Sequence, residues 1–155
     1  MAYIKGRYLN PQRGEGYHGA FLGIAGVGGV SENDIVIATG YSGDQVKFVK
    51  ADADAAGLHA GLMGVAKNAA DANETVVVLS HKMVKDVDTS GAAAGYPVYL
   101  GEPPGQFDDS EPSPNTMAVG SVLYSHASAG VVILAPGRMT YGIESDGTPD
   151  ITHGS

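Results

Sequence analysis

The chain has 155 residues and a mass of 15.8 kDa, with 43% apolar residues but only 17% charged ones, against about 25% in ordinary soluble domains; one ordinary domain, or a small domain carrying flexible extensions, is expected, and two full enzymatic domains are not. It contains no cysteine, which removes disulfides, thiolate zinc sites and thiol nucleophiles, and no apolar run approaches the roughly 20 residues of a membrane span. The formal charge is −8, and the whole excess follows residue 85, where Arg138 stands alone against nine acids; nucleic-acid binding by that half is disfavoured, because phosphate affinity rests on Lys and Arg.

Glycine occurs 23 times and proline 8 times. Since Gly costs about 1 and Pro about 3 kcal/mol in a helix interior, the composition predicts an all-β fold of short strands and turns. Residues 1–30 read as an N-terminal arm, because glycines interrupt every periodic pattern there. Its first acid, Glu15, comes after Lys5, Arg7 and Arg13, and it holds Tyr3, Ile4, Tyr8, Leu9, Tyr17, Phe21, Leu22 and Ile24. So many large apolar groups are expected to dock on the parent domain, a sister subunit or a partner, and the basic start offers a contact for an acidic partner surface. Export by a cleaved signal is not expected, since Ser31-Glu32-Asn33 offers no small-x-small site after the glycine-diluted run.

Residues 31–137 read as the β domain. The segments Asp34 to Tyr41 and Gln45 to Lys50 flank Ser42-Gly43-Asp44 and predict a hairpin. Residues 51–56 are alanine-rich enough for a short helix, and Leu62 to Lys67 is compatible with a strand. After the polar turn Asn68 to Asn73, Glu74 to Val84 predicts one long central strand, buried on both faces at Val76 to Leu79. Tyr96 to Leu100 predicts a strand on which Pro97 marks an edge or a start. Residues Gly101 to Pro114, with four prolines and four acids, read as an exposed loop. Val119 to Ser125 and Val131 to Ala135 flank a hairpin loop, His126 to Gly130, and Pro136-Gly137 ends the sheet. Residues 138–155 read as a C-terminal tail.

No constellation reaches the specificity of a catalytic or metal site. Asp86, Asp88, Ser90 and Gly91 occupy the first, third, fifth and sixth positions of a calcium loop, but the twelfth, which must supply a bidentate carboxylate, is Pro97. Asp52 and Asp54 have no third ligand nearby in sequence. Gly26 to Ser31 lacks the last glycine and the helix of a dinucleotide loop. The pairs Ser80-His81 and Ser125-His126 would point to opposite faces of a strand, a poor geometry for a nucleophile and its base. The expectation is therefore no enzyme, no cofactor and no metal.

In order along the chain, ADADAAG, GLMGVA, VVVLSHKMV, TSGAAAGYPVYLGEPPG, VGSVLYS and VVILAP, spanning Val46 to Pro136, resemble the capsid decoration, or cement, proteins of tailed bacteriophages. The resemblance implies a compact β-barrel or β-tulip domain, assembled as a homotrimer on the outer capsid surface of the virion after synthesis in the bacterial host cytoplasm. It implies the major capsid protein as partner, neither nucleic acid nor membrane, and a mechanical role in bridging capsomers. Terminal arms of such proteins often reach across the shell, so Tyr3, Ile4, Lys5, Arg7, Tyr8, Leu9 and Arg13 become the candidate capsid-binding residues. The competing expectation is a tail, fibre or other carbohydrate-binding β module that uses Tyr96 and Tyr99.

Overall fold

In the computed structural model the described residues are 20–55, 57–59, 61–111 and 117–136. They form ten strands and no helix, as the glycine and proline content predicts. Strands β1 (Ala20–Ala25), β2 (Ile35–Ser42), β3 (Gln45–Lys50), β4 (Met63–Ala66) and β5 (Thr75–Leu79) close into a barrel of order β1-β3-β2-β4-β5. Closure comes from β1, which pairs antiparallel with β5 and parallel with β3. Strands β6 (Lys82–Val87), β7 (Pro97–Leu100), β8 (Phe107–Asp108), β9 (Ala118–Tyr124) and β10 (Gly130–Leu134) form a second, antiparallel sheet of order β6-β10-β9-β7-β8.

Alternation along β2 and β4 sorts their side chains into two cores. Val36, Phe48, Ala66, Val76 and Val78 pack together with Ala25, Val30 and Ala70 in the barrel core. Their neighbours Ile35, Ile37, Met63 and Val65 point the other way, onto Val84, Val98, Leu100, Val119, Val122, Val132 and Leu134 of the second sheet. Burying a Val, Leu or Ile contributes about 1.5–3 kcal/mol, so this shared layer binds sheet to barrel. The barrel is narrow enough that Gly23 is required: a Cβ there would meet the Val46 carbonyl at 2.5 Å and the Phe48 ring at 2.8 Å.

The β2–β3 hairpin forms as expected, with Gly43 and Asp44 both at positive φ (59° and 64°), the conformation of a two-residue type I′ turn. The β9–β10 hairpin and the strand start at Pro97 also fall where the sequence puts them.

Four segments differ from expectation. Ala20–Ala25, inside the stretch read as an arm, is barrel strand β1, whose Gly23 serves close packing instead of breaking the strand. The long strand over Glu74 to Val84 is interrupted at Ser80-His81, which hands the chain from β5 in the barrel to β6 in the second sheet. Residues 51–55 are bends, not a helix, and Ala51 and Ala53 are buried between the layers. The stretch read as an exposed loop from Gly101 carries β8 and a buried seam. The Gly105 N–H donates to Ala51 O and its carbonyl accepts from Ile35 N–H, both at 2.7 Å, while Ala53 N–H donates to Gly101 O at 3.2 Å.

Candidate assembly surface

The second sheet has one face against the barrel and one face outward, and the strand register assigns side chains to each. Val84, Val132 and Val122 lie side by side and are buried. One residue along, Met83, Ile133, Ser121 and Pro97 form the neighbouring row, which by alternation points outward. Met83 is half exposed, and Ile133, Ser121 and Pro97 are partly covered by one another and their neighbours. The next outward row is Lys85, Val131 and Tyr124.

Three irregularities curl this sheet. Leu123 is an extra residue on β9, because Tyr124 faces Val131 while Val122 faces Val132. Asp86 is the extra residue on β6 between Val87 and Lys85, and it holds a left-handed φ of 59°. Val119 is extra opposite the Val98-Tyr99 step. Bulges bend a strand and increase its twist, and the bulge at Leu123 leaves two consecutive large residues, Leu123 (47%) and Tyr124 (52%), exposed. Tyr96, 61% exposed, enters beside them, since its carbonyl accepts from Val122 N–H at 2.8 Å. The outward face thus presents Met83, Leu123, Tyr124 and Tyr96 around half-buried Val131 and Ile133, with exposed Lys85 on its β6 side, a largely apolar and aromatic surface on a sheet face where water would favour polar residues.

Thr89 supports this surface from below. It is the one fully buried polar side chain among the described residues; its Oγ1 donates to Tyr124 O at 2.8 Å and accepts from His126 N–H at 3.0 Å. Tyr99, on the outward side of β7, has its phenol pKa raised by burial and then by the neighbouring Glu111 carboxylate. That carboxylate holds the phenol as a neutral hydrogen-bond donor.

No family model matches the chain, and no curated protein matches it.

Tyr3, Ile4, Lys5, Arg7, Tyr8, Leu9 and Arg13 lie outside the described residues, as does the tail over 138–155. Asp88 turns back on its own loop: Oδ1 accepts from the Ser90 N–H at 2.9 Å and the Ser90 hydroxyl at 2.7 Å, which lowers its pKa. Asp52 accepts from Asp54 N–H at 3.2 Å, and its hydrogen bonding and charge raise the Asp54 pKa. No group of three or more His, Cys, Asp or Glu that could hold a metal ion occurs among the described residues. Gly26 to Gly29 form a tight turn, Gly29 N–H to Gly26 O at 3.1 Å, with no cradle for a phosphate.

Ser80 and His81 correct the strand argument. They sit between β5 and β6, not within a strand, so Ser80 Oγ and His81 Nδ1 approach to 3.2 Å. The pair is exposed, and no carboxylate hydrogen-bonds the ring among the described residues, so it lacks the group that orients a catalytic base. Ser125 donates instead to Thr89 O at 3.1 Å. Met83, Leu123 and Thr89 were not singled out from sequence. A bulge places Leu123, and a bulge shifts the period-two pattern without altering composition.

Proposed function

We propose that the chain is a structural protein of a bacteriophage virion, which binds the outside of the capsid as a homotrimer and stabilises the shell by bridging neighbouring major capsid proteins. The observation that carries this reading is the outward face of the second sheet, where Met83, Leu123, Tyr124 and Tyr96 stand exposed on a rigid scaffold. Surfaces enriched in Tyr and Met and poor in charge at their centre suit protein interfaces. The order of the sequence segments from Val46 to Pro136 supports the capsid as the site of assembly, and the basic, tyrosine-rich residues before Glu15 supply a contact for an acidic partner surface. In this reading the protein acts by adding interface area, and three arms on one trimer let individually weak contacts sum to firm binding.

Light scattering on the full chain tests the trimer: a mass near three times 15.8 kDa is expected, reduced toward the monomer by Met83→Lys combined with Tyr124→Lys. Co-sedimentation with undecorated phage heads tests the capsid. A monomer at every concentration, or failure to sediment with heads, overturns the corresponding half of the proposal. Binding of soluble glycans through Tyr96 would favour the carbohydrate-binding module instead.

A further inference from the structure

The tip of the β9–β10 hairpin, residues 125–129, is closed by a side chain. His126 Nδ1 accepts hydrogen bonds from the backbone N–H of Ser128 at 3.1 Å and of Ala129 at 3.0 Å. An imidazole nitrogen accepts only when it carries no proton, so both bonds require Nδ1 to be unprotonated. The ring stacks on Tyr124, centroids 5.8 Å apart and planes 19° from parallel. The backbone of His126 is held separately: its N–H donates to Thr89 Oγ1 at 3.0 Å and its carbonyl accepts from Thr89 N–H at 2.9 Å. Main chain and ring therefore have different tethers, and the ring alone decides whether residues 128 and 129 are held.

We propose that His126 is a proton-operated latch on the hairpin tip. Histidine is the side chain whose charge ordinarily changes between about pH 5 and pH 8. A proton on Nδ1 replaces the acceptor lone pair with a third donor facing two donors, an arrangement that has no hydrogen-bonded solution without movement. Because Thr89 fixes the backbone at 126, the ring rotates away, residues 127–129 lose their closing bonds and the stack on Tyr124 is given up. The surrounding ionisable groups are Tyr124 on β9, Lys85 on β6 opposite Val131, the bulged Asp86 next to it, and Asp88 beside Thr89, whose Oδ1 is engaged by Ser90. None of them hydrogen-bonds the His126 ring among the described residues, so no carboxylate replaces the lost partners. Acid thereby alters the edge of the aromatic surface that includes Tyr124. The latch resides in a single subunit and does not depend on the assembly reading.

The test is a pH titration of the full chain by ¹H–¹⁵N NMR from about pH 8 to about pH 5, with the His126 ring followed through its carbon-bound protons. The Ser128 and Ala129 amides are expected to shift in step with the ring and to lose protection from solvent exchange, while Val122 and Val132 amides stay in place. His126→Asn, which retains a side-chain acceptor but does not titrate, is expected to abolish the step and keep the amides protected. His126→Ala is expected to leave both amides unprotected at the neutral end. Amides that stay still through the ring's titration, that move equally in His126→Asn, or a ring that does not titrate in this interval would each overturn the latch.

Discussion

The Thr89 hydroxyl donates to the Tyr124 carbonyl at 2.8 Å from a fully buried position, and so ties the exit of β6 to the end of β9. The same oxygen accepts from His126 N–H, which gives the hairpin tip and the exposed aromatic residues one common anchor. Gly130 is part of this arrangement, since a Cβ there would collide with Thr89 Oγ1.

Replacing Thr89 by Val keeps the shape and removes the hydroxyl, leaving the Tyr124 carbonyl short of a donor and the His126 N–H without its acceptor. A buried group left unsatisfied costs about 1–3 kcal/mol. Urea unfolding is expected to show a loss of that size for Thr89→Val and a smaller one for Thr89→Ser, which retains the oxygen. Equal losses would mean that the methyl packing matters and the hydrogen bonds do not.

Gly23→Ala tests the barrel. The added methyl would meet the Val46 carbonyl and the Phe48 ring at 2.5 and 2.8 Å, and overpacking of this kind costs about 1–3 kcal/mol. Gly40→Ala, on the exposed end of β2 with nothing within 4 Å of its Cβ, is expected to stay within about 0.5 kcal/mol of the parent, the usual range for surface changes. Thermal unfolding of the two variants side by side gives the comparison.

Alkaline pH acts through Tyr99. Its pKa in the fold is raised by burial and by Glu111, so its contribution to stability is complete below the unfolded value of about 10 and is lost as pH rises through the folded one. Urea midpoints are expected to fall on the alkaline side more steeply in the parent than in Tyr99→Phe, which has no phenol to ionise. Parallel pH profiles would remove Tyr99 from the account.

Acid acts on Asp88 in the opposite sense. Hydrogen bonds from Ser90 lower its pKa, so its contribution is present above the ordinary Asp value of about 3.9 and disappears as pH falls through the lower folded one. The carboxyl resonance of Asp88 is expected to titrate below that of an unstructured peptide, and Ser90→Ala is expected to move it back. An unchanged midpoint in Ser90→Ala would mean that the serine does not set it.

What could be read from the sequence was local. The β2–β3 turn is decided by Gly43-Asp44 and the β9–β10 tip by the residues between two β-branched runs, so both hairpins were legible. Which layer a strand joins is not local. Val76 and Val84 look alike in a list of residues, yet the first packs in the barrel core and the second, on the other sheet, in the layer that sheet shares with the barrel, and the chain must break between them at Ser80-His81. Gly23, Gly101 and Gly105 signal flexibility by composition, while in the fold they permit backbone approach. The exposed apolar face was half legible: Tyr96 stood out by type, whereas Leu123 gains its position from a bulge that no alternation reveals.

The parallel pairing of β1 with β3 has a consequence for biosynthesis. Ala20–Ala25 is made before every other described strand, but its two neighbours are β3 and β5, and β5 ends at Leu79. Until that point the earliest strand has an unpaired edge, and Ile24 and Ala25, buried in the finished fold, wait through some fifty residues of translation, at about 5–20 residues per second. Even a completed barrel keeps Ile35, Ile37, Met63 and Val65 uncovered until β9 and β10 arrive. A nascent chain stalled between Leu79 and Leu134 therefore displays a closed barrel with one greasy side, the form most in need of a chaperone.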